Sequence, residues 1–216
     1  MRSFSSTSVL FTALMKKSLR DLLAERALRV AKPGESFTLS TGRQSNFYFN
    51  CKPVTLSSEG ASLVADAFLD KLKLFPEPVG AVGGLTLGAD PIVIAMIMRG
   101  PERGIKLEGF YVRDKKKSHG TKELIANVPP AGTNVVIVDD VVTTGQSTID
   151  AIEAVKAADC NVVGVIVLMD RREQDGEANI RKHVRHYFSV YTRDDFPEID
   201  QVCDTKQSER RSKISA

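Results

Sequence analysis

The segment 134–157, NVVIVDDVVTTGQSTIDAIEAVKA, carries three patterns in succession. Residues 135–138 are a short run of β-branched apolar side chains, the mark of a strand buried on both faces in a parallel sheet. Asp139 and Asp140 follow side by side, then Val141, Val142, Thr143, Thr144, Gly145, Gln146, Ser147 and Thr148. Beyond them Ile149, Ile152 and Val155 recur with alanines between, which is helical spacing. The order is therefore strand, polar loop, helix. The first amides of a helix lack intrahelical partners and carry the positive end of its dipole. A Thr/Gly/Ser loop in front of them lets backbone close on a phosphate and adds hydroxyl donors, so the junction reads as an anion site. The loop contains neither GxxxxGK[ST] nor GxGxxG, which excludes a Walker loop and a dinucleotide fingerprint. Adjacent acids on an extended backbone point to opposite faces. One is placed for a ligand's hydroxyls, the other for a nearby base or a hydrated metal. Taken alone, such a pair reads more readily as an acidic strand end capping a βα turn. The order of apolar strand, paired acids, TTG and helix is the specific signal.

Working outward, VVIVDDVVTTGQS resembles the phosphoribosyl-diphosphate (PRPP) binding motif of the type I phosphoribosyltransferases. The resemblance implies that Asp139 and Asp140 contact the ribose of PRPP. It implies that the loop from Thr143 to Ser147 cradles the 5′-phosphate, with Val141 and Val142 in the same site.

The bulk numbers bound the rest. A chain of 216 residues suits one domain with a substantial core. Apolar content of 42% and charged content of 26% are ordinary for a globular protein. A net charge of +3 argues against an obligatory nucleic-acid partner. Cys51, Cys160 and Cys203 form no CxxC or Cys/His cluster, and free thiols suit a reducing cytoplasm. No apolar run approaches the roughly 20 residues of a membrane span. Residues 1–14 are Ser/Thr-rich with one Arg and no acid, and are expected to be a disordered N-terminus rather than a targeting peptide. Residues 15–203 are expected to form one domain, and 204–216 a solvated tail.

In chain order, residues 16–30 place Leu19, Leu22, Leu23, Ala27 and Val30 on one face of a helix ended by Pro33-Gly34. In FTLSTGRQSNFYFN, residues 37–50, Phe37 and Leu39, then Phe47 and Phe49, predict two short strands around a glycine turn. Ser57, Ser58 and Glu59 open a helix with Val64, Ala67, Phe68 and Leu72 inward, broken by Pro76 and Pro78. A strand over 79–82 leads into the turn GGLTLGADP, residues 83–91, and then a buried helix over 92–98. Such a glycine-rich junction lets a ligand approach backbone closely, though many βα turns look alike. Another strand ends at Phe110 to Val112. Residues 113–133 show no periodicity, the mark of a lid or binding loop. Its front half carries Arg113, Lys115, Lys116, Lys117, His119 and Lys122 against Asp114 and Glu123. A charge run is usually a solvated face. Directly before the acid pair it reads as a cationic lid that closes over an anion and excludes water. A strand over 162–168 ends in Met169, Asp170, Arg171, Arg172 and Glu173, at the carboxyl end where open parallel sheets bind ligands. A last strand covers 187–191, with His183 and His186 in structural roles.

Strands alternate with helices, so the fold class is α/β with a mainly parallel central sheet flanked by helices. Within the type I family, FTLSTGRQSNFYFN resembles the hood of the orotate phosphoribosyltransferases, RDKKKSHG their catalytic loop, and the run from Leu168 to Glu173 their L-x-D-R-x-E pattern. The resemblance implies a small N-terminal hood over the strand ends. It implies the conversion of orotate and PRPP to orotidine 5′-monophosphate and diphosphate, in pyrimidine (UMP) biosynthesis. Asp139, Asp140, Lys117 and His119 would be catalytic; Arg113, Lys117 and His119 would meet the diphosphate; Thr143 and Arg171 would contact orotate. Mg²⁺ would arrive on the substrate rather than in a protein cage. The active form would be a homodimer whose lids reach into the neighbour's site. Three positions depart from the family pattern. Ser40 stands where many members have a hood lysine, the 83–91 loop has no lysine, and Asp114 replaces the second lysine of the lid. A purine or uracil phosphoribosyltransferase and a nucleotide-sensing regulator on the same fold are the alternatives. The hood and the lid argue against the first; the lid and the modest net charge argue against the second.

Overall fold

The computed structural model describes residues 17–39, 42–114 and 124–200. Helix α1, Leu19–Arg26, starts at Ser18, whose hydroxyl accepts from the Asp21 amide. It stops short of the expected Val30. Leu28–Val30 is instead a strand, β1, pairing antiparallel with β4, Phe47–Phe49. A ladder with a partner distant in the chain outweighs one more helical turn. Phe37–Thr38 (β2) pairs with Gln44–Ser45 (β3) around a turn in which Gly42 takes φ 81°. The hood is therefore two small two-stranded sheets, not one hairpin running to Phe49.

The body follows: α2 Lys52–Thr55, α3 Ser58–Leu72, β5 Ala81–Leu85, α4 Asp90–Arg99, β6 Glu108–Val112, β7 Ile125–Ala126, β8 Asn134–Val142, α5 Gln146–Lys156, β9 Asn161–Asp170, α6 Gly176–Arg181 and β10 His186–Thr192. β5 begins two residues later than the expected strand at 79–82. Six strands form one sheet in the order β10-β9-β8-β5-β6-β7, parallel except for β7. Alternation along the strands builds two cores. Val136, Val138, Ile166 and Leu168 pack with α1, α3 and α4, and Val135, Ile137, Val165 and Val167 pack with α5. α4 is buried on one face only, because Ile94 and Met98 are exposed. His186 packs against the Phe75 and Phe188 rings, in line with its structural role.

Part of the stretch expected to be irregular is strand. β7 folds back on β6, and the Arg113 amide donates to the Leu124 carbonyl at 2.8 Å, so the segment expected to be the lid connects two paired strands. Ser40, Lys115, Lys116, Lys117, His119, Lys122 and Cys203 lie outside the described residues. Among the described residues no helix is long and apolar enough to cross a membrane. From β5 the chain passes to β6 on one side, then returns to β8 on the other. That switch parts the loops after β5 and β8 and opens a crevice at the strands' carboxyl ends, where α/β sheets bind ligands.

Candidate active site

β8 runs through both acids to Val142, so their side chains leave opposite faces of an extended strand, as expected. Asp139 turns inward and is 7% exposed. Its Oδ2 accepts from Thr148 Oγ1 of α5 at 2.8 Å, and its Oδ1 accepts from the Asp140 amide at 2.9 Å. Burial, reinforced by the charge of Asp140, pushes its pKa up to about 7. Asp140 faces the hood side. Its Oδ2 lies 3.7 Å from Lys52 Nζ, and its carbonyl accepts from the Cys51 thiol at 3.7 Å. Burial holds that thiol's pKa well above its ordinary value, so Cys51 is no nucleophile. The glycine-rich loop after β5 presses on the same acids. A Cβ on Gly88 would lie 2.5 Å from Asp140 Oδ1; within β5 itself, one on Gly84 would lie 2.1 Å from the Val138 carbonyl of β8.

The loop after β8 meets the helix as the anion-site reading requires. Gly145 takes φ 81°, and a side chain there would strike Ile180 Cγ1 at 2.8 Å. Glycine offers no capping side chain, so beyond Gln146 the first amides of α5 take no cap hydrogen bond and suit an anion. Thr144 is held in place: its hydroxyl accepts from the Gln146 amide at 3.3 Å and its carbonyl from Asn179 Nδ2 at 3.2 Å. Thr143 and Thr144 are half-buried, while Gln146 and Ser147 are exposed. Val142 is buried and its carbonyl accepts from the Arg171 amide at 3.1 Å, which ties this loop to the turn after β9.

Arg171 is 2% exposed. Its Nη2 donates to Ser45 Oγ at 3.0 Å, the Phe47 carbonyl at 3.1 Å and Glu173 Oε2 at 3.0 Å; Nε also reaches Glu173 Oε2, at 3.1 Å. The guanidinium stacks 4.0 Å from the Phe47 ring centroid. The residue expected to meet a ligand thus also fastens the hood to the sheet. Beneath it, buried Asp170 accepts from the Arg172 amide at 2.8 Å and from the Tyr187 hydroxyl at 2.9 Å. Arg172, Gln174 and Asp175 all take left-handed φ, at 53°, 54° and 56°, a strained turn of the kind that collects at functional sites. A cleft of about 180 Å³ opens between Leu39, Arg43 and Gln44 of the hood and Glu173 and Gln174 of this turn. A larger depression of about 610 Å³ lies elsewhere, against Leu124, Ile125 and Val128. It holds no paired acids, so size does not select the site.

The crevice brings together Asp139, Asp140, Thr143 to Ser147 and the loop after β5. Arg171 joins them through Val142, and Arg113 follows directly after β6. Lys52, the Thr148 contact and the close approach of Gly88 were not foreseen: Lys52 stands in no motif, and although Thr148 and Gly88 lie in stretches singled out in the sequence, their contacts with Asp139 and Asp140 depend on how α5 and the loop after β5 pack against β8. Among the described residues no three His, Cys, Asp or Glu side chains converge on one point. With one carboxylate committed to Thr148 and the other paired to a lysine, the donor set fits a Mg²⁺ carried on a ligand's own oxygens.

Residues 83–206 match the family model described as phosphoribosyl transferase domain. The chain is 43% identical over 162 residues to an orotate phosphoribosyltransferase of Thermosynechococcus vestitus, covering 73% of this chain and 84% of the relative. It is 35% identical over 178 residues to an orotate phosphoribosyltransferase of Aquifex aeolicus, covering 82% and 95%. Among solved structures, Mycobacterium tuberculosis orotate phosphoribosyltransferase in complex with PRPP superposes with a TM-score of 0.65 at 29% identity, covering 82% of this chain and 95% of that one.

Proposed function

The chain belongs to the orotate phosphoribosyltransferase family, and from that premise we infer how its residues divide the work. It is a pentosyltransferase that joins orotate to the ribose of PRPP, releasing diphosphate, in pyrimidine biosynthesis. The observation that carries the placement of the reaction is the convergence of paired acids, a glycine-rich loop and an open helix start at the switch between β5 and β8.

Displacement at the anomeric carbon builds positive charge on the ribose and negative charge on the departing diphosphate. Asp140, its side chain 15% exposed, is placed for the ribose hydroxyls. Asp139 stands behind it, fixing the Asp140 amide and adding negative charge on the cationic side. The 5′-phosphate sits on the Thr143-to-Ser147 loop and the first amides of α5. The diphosphate lies along the loop after β5, which lets it approach because Gly88 carries no side chain. Arg113, Lys117 and His119 close over it from the lid. Mg²⁺, held by the substrate's own oxygens rather than by a protein cage, would supply charge neutralisation there. Thr143 and Arg171 orient orotate beneath the hood, where Arg171 is preset by Glu173 and Phe47. No covalent nucleophile is required. Residues 15–203 form one domain of a homodimer with exchanged lids. Cys51 and Cys160 are free thiols, which suits a reducing cytoplasm.

The deciding experiment supplies PRPP and Mg²⁺ with orotate, uracil, adenine or hypoxanthine in turn. Orotate alone should be consumed, with one diphosphate released per base. Consumption of a different base in its place would overturn the assignment.

A further inference from the structure

On the functional reading above, we propose that Lys52 is a substrate-binding cation of this site, its ammonium meeting the diphosphate end of PRPP from within the subunit. The electrostatics call for such a group. PRPP brings several negative charges to a crevice that already holds Asp139 and Asp140, and opposing charge must come from somewhere close. The loop after β5, GGLTLGADP, contains no Lys or Arg, position 40 is Ser and position 114 is Asp. Lys52 is the cation that the described residues bring to the acid pair.

The chain anchors its base and frees its tip. Cys51 is fully buried and its thiol holds the Asp140 carbonyl. The Lys52 amide donates to Asn50 Oδ1 at 3.2 Å, and Val54 and Thr55 are buried just beyond. Asp140 is thus gripped at its backbone by Cys51 and faced at its carboxylate by Lys52. The Lys52 side chain is 48% exposed, and its 3.7 Å approach to Asp140 is an ion pair rather than a hydrogen bond. Such half-exposed pairs are held weakly. A lysine is a point charge on a flexible stem, able to leave one anion for another. The direction of that exchange is set by Gly88, which abuts the Asp140 carboxylate from the loop after β5. A ligand lying on both the loop and Asp140 comes within reach of Lys52. The ammonium stays with the diphosphate as the bond to ribose breaks, whatever the position of the lid.

The test measures binding of inorganic diphosphate, and separately of PRPP, each with Mg²⁺ and without orotate. Wild type is compared with K52M, K52Q, K52R, D140N and K52M/D140N, with thermal unfolding of each as the control for folding. A charge-assisted contact predicts that K52M and K52Q weaken both ligands by about tenfold or more, while K52R retains most of the affinity. The orotate KM at saturating PRPP should not move. The loss of diphosphate affinity should persist in the D140N background, because a lysine that served only to hold Asp140 has nothing left to hold there. Diphosphate affinity within about twofold of wild type in K52M and K52Q, or a loss that vanishes with D140N, overturns the proposal. Wild type that binds no PRPP and consumes no orotate would instead bring down the functional reading on which it rests.

Discussion

Asp139 shows how a single residue carries both function and cost. Its carboxylate is buried beside a second acid, and its pKa stands near 7 against an ordinary 3.8. A carboxyl whose pKa is raised by folding stabilises the fold while protonated. That contribution is fully present below about pH 4 and is lost as pH rises through about 7. At about 1.4 kcal/mol for each pH unit of displacement, the ionised carboxylate costs the fold on the order of a few kcal/mol. The ligand-free protein should therefore lose thermal stability between about pH 4 and pH 7. Asp139→Asn should flatten that fall and be the more stable protein at the alkaline end, while losing more than about 1.4 kcal/mol of transition-state stabilisation, a tenfold drop in turnover. Thr148→Val removes the hydroxyl that favours the ionised form, and should move the midpoint of the fall to higher pH. Unfolding curves across that range decide it: equal slopes for wild type and Asp139→Asn would contradict the account. The acids were legible in the sequence because they are adjacent and follow a strand. The division of labour between them was not, because it depends on α5 setting Thr148 against one of the two.

At the scale of elements, the hood is the weak member. Its strands are two or three residues long, and isolated two-stranded sheets of that size are marginal in water. What attaches it is Arg171 at the end of β9, through Ser45, Phe47 and Glu173. Arg171→Met keeps the volume and removes the donors, leaving a buried carbonyl and a mostly buried carboxylate short of partners. The expected loss is about 2–4 kcal/mol, read as a lower unfolding temperature and faster proteolysis within residues 28–49 than in the body. Adding Glu173→Gln removes the stranded charge and should recover part of the stability. Orotate use should stay impaired in the double variant, which separates a structural role of Arg171 from a role with the base. Recovery of both together would make Arg171 structural only. The sequence placed the hairpin and Arg171 correctly in order, but joined Leu28–Val30 to the first helix. Three residues of alternating character fit either state, and their strand partner lies beyond an intervening hairpin.

At the scale of the whole molecule, the lid and the crevice need not belong to one subunit. The segment expected to be the lid connects β6 and β7 at one edge of the sheet, whereas the acids stand on β8, beyond β5. A two-fold dimer would make the exchange of lids reciprocal. Mixing a lid-dead subunit, Lys117→Ala with His119→Ala, with a pocket-dead one, Asp139→Asn with Asp140→Asn, should restore activity as heterodimers form. Each parent should remain nearly inactive. No recovery, with subunit exchange confirmed by mass, would show that each lid serves its own site. The sequence by itself determined the α/β class, the strand–loop–helix junction after β8 and the order of hood, acid pair and Arg171. Each of these is a local pattern, written in contiguous residues whose spacing dictates strand, loop or helix. Only the tertiary structure decided that Lys52 faces Asp140, that Gly88 abuts the same carboxylate, that Thr148 takes Asp139 and that Arg171 holds the hood. All but the Thr148–Asp139 contact join segments far apart in the chain. The return of the chain from β6 to β8 across β5 brings them together, and periodicity along the sequence carries no record of which strands will be neighbours.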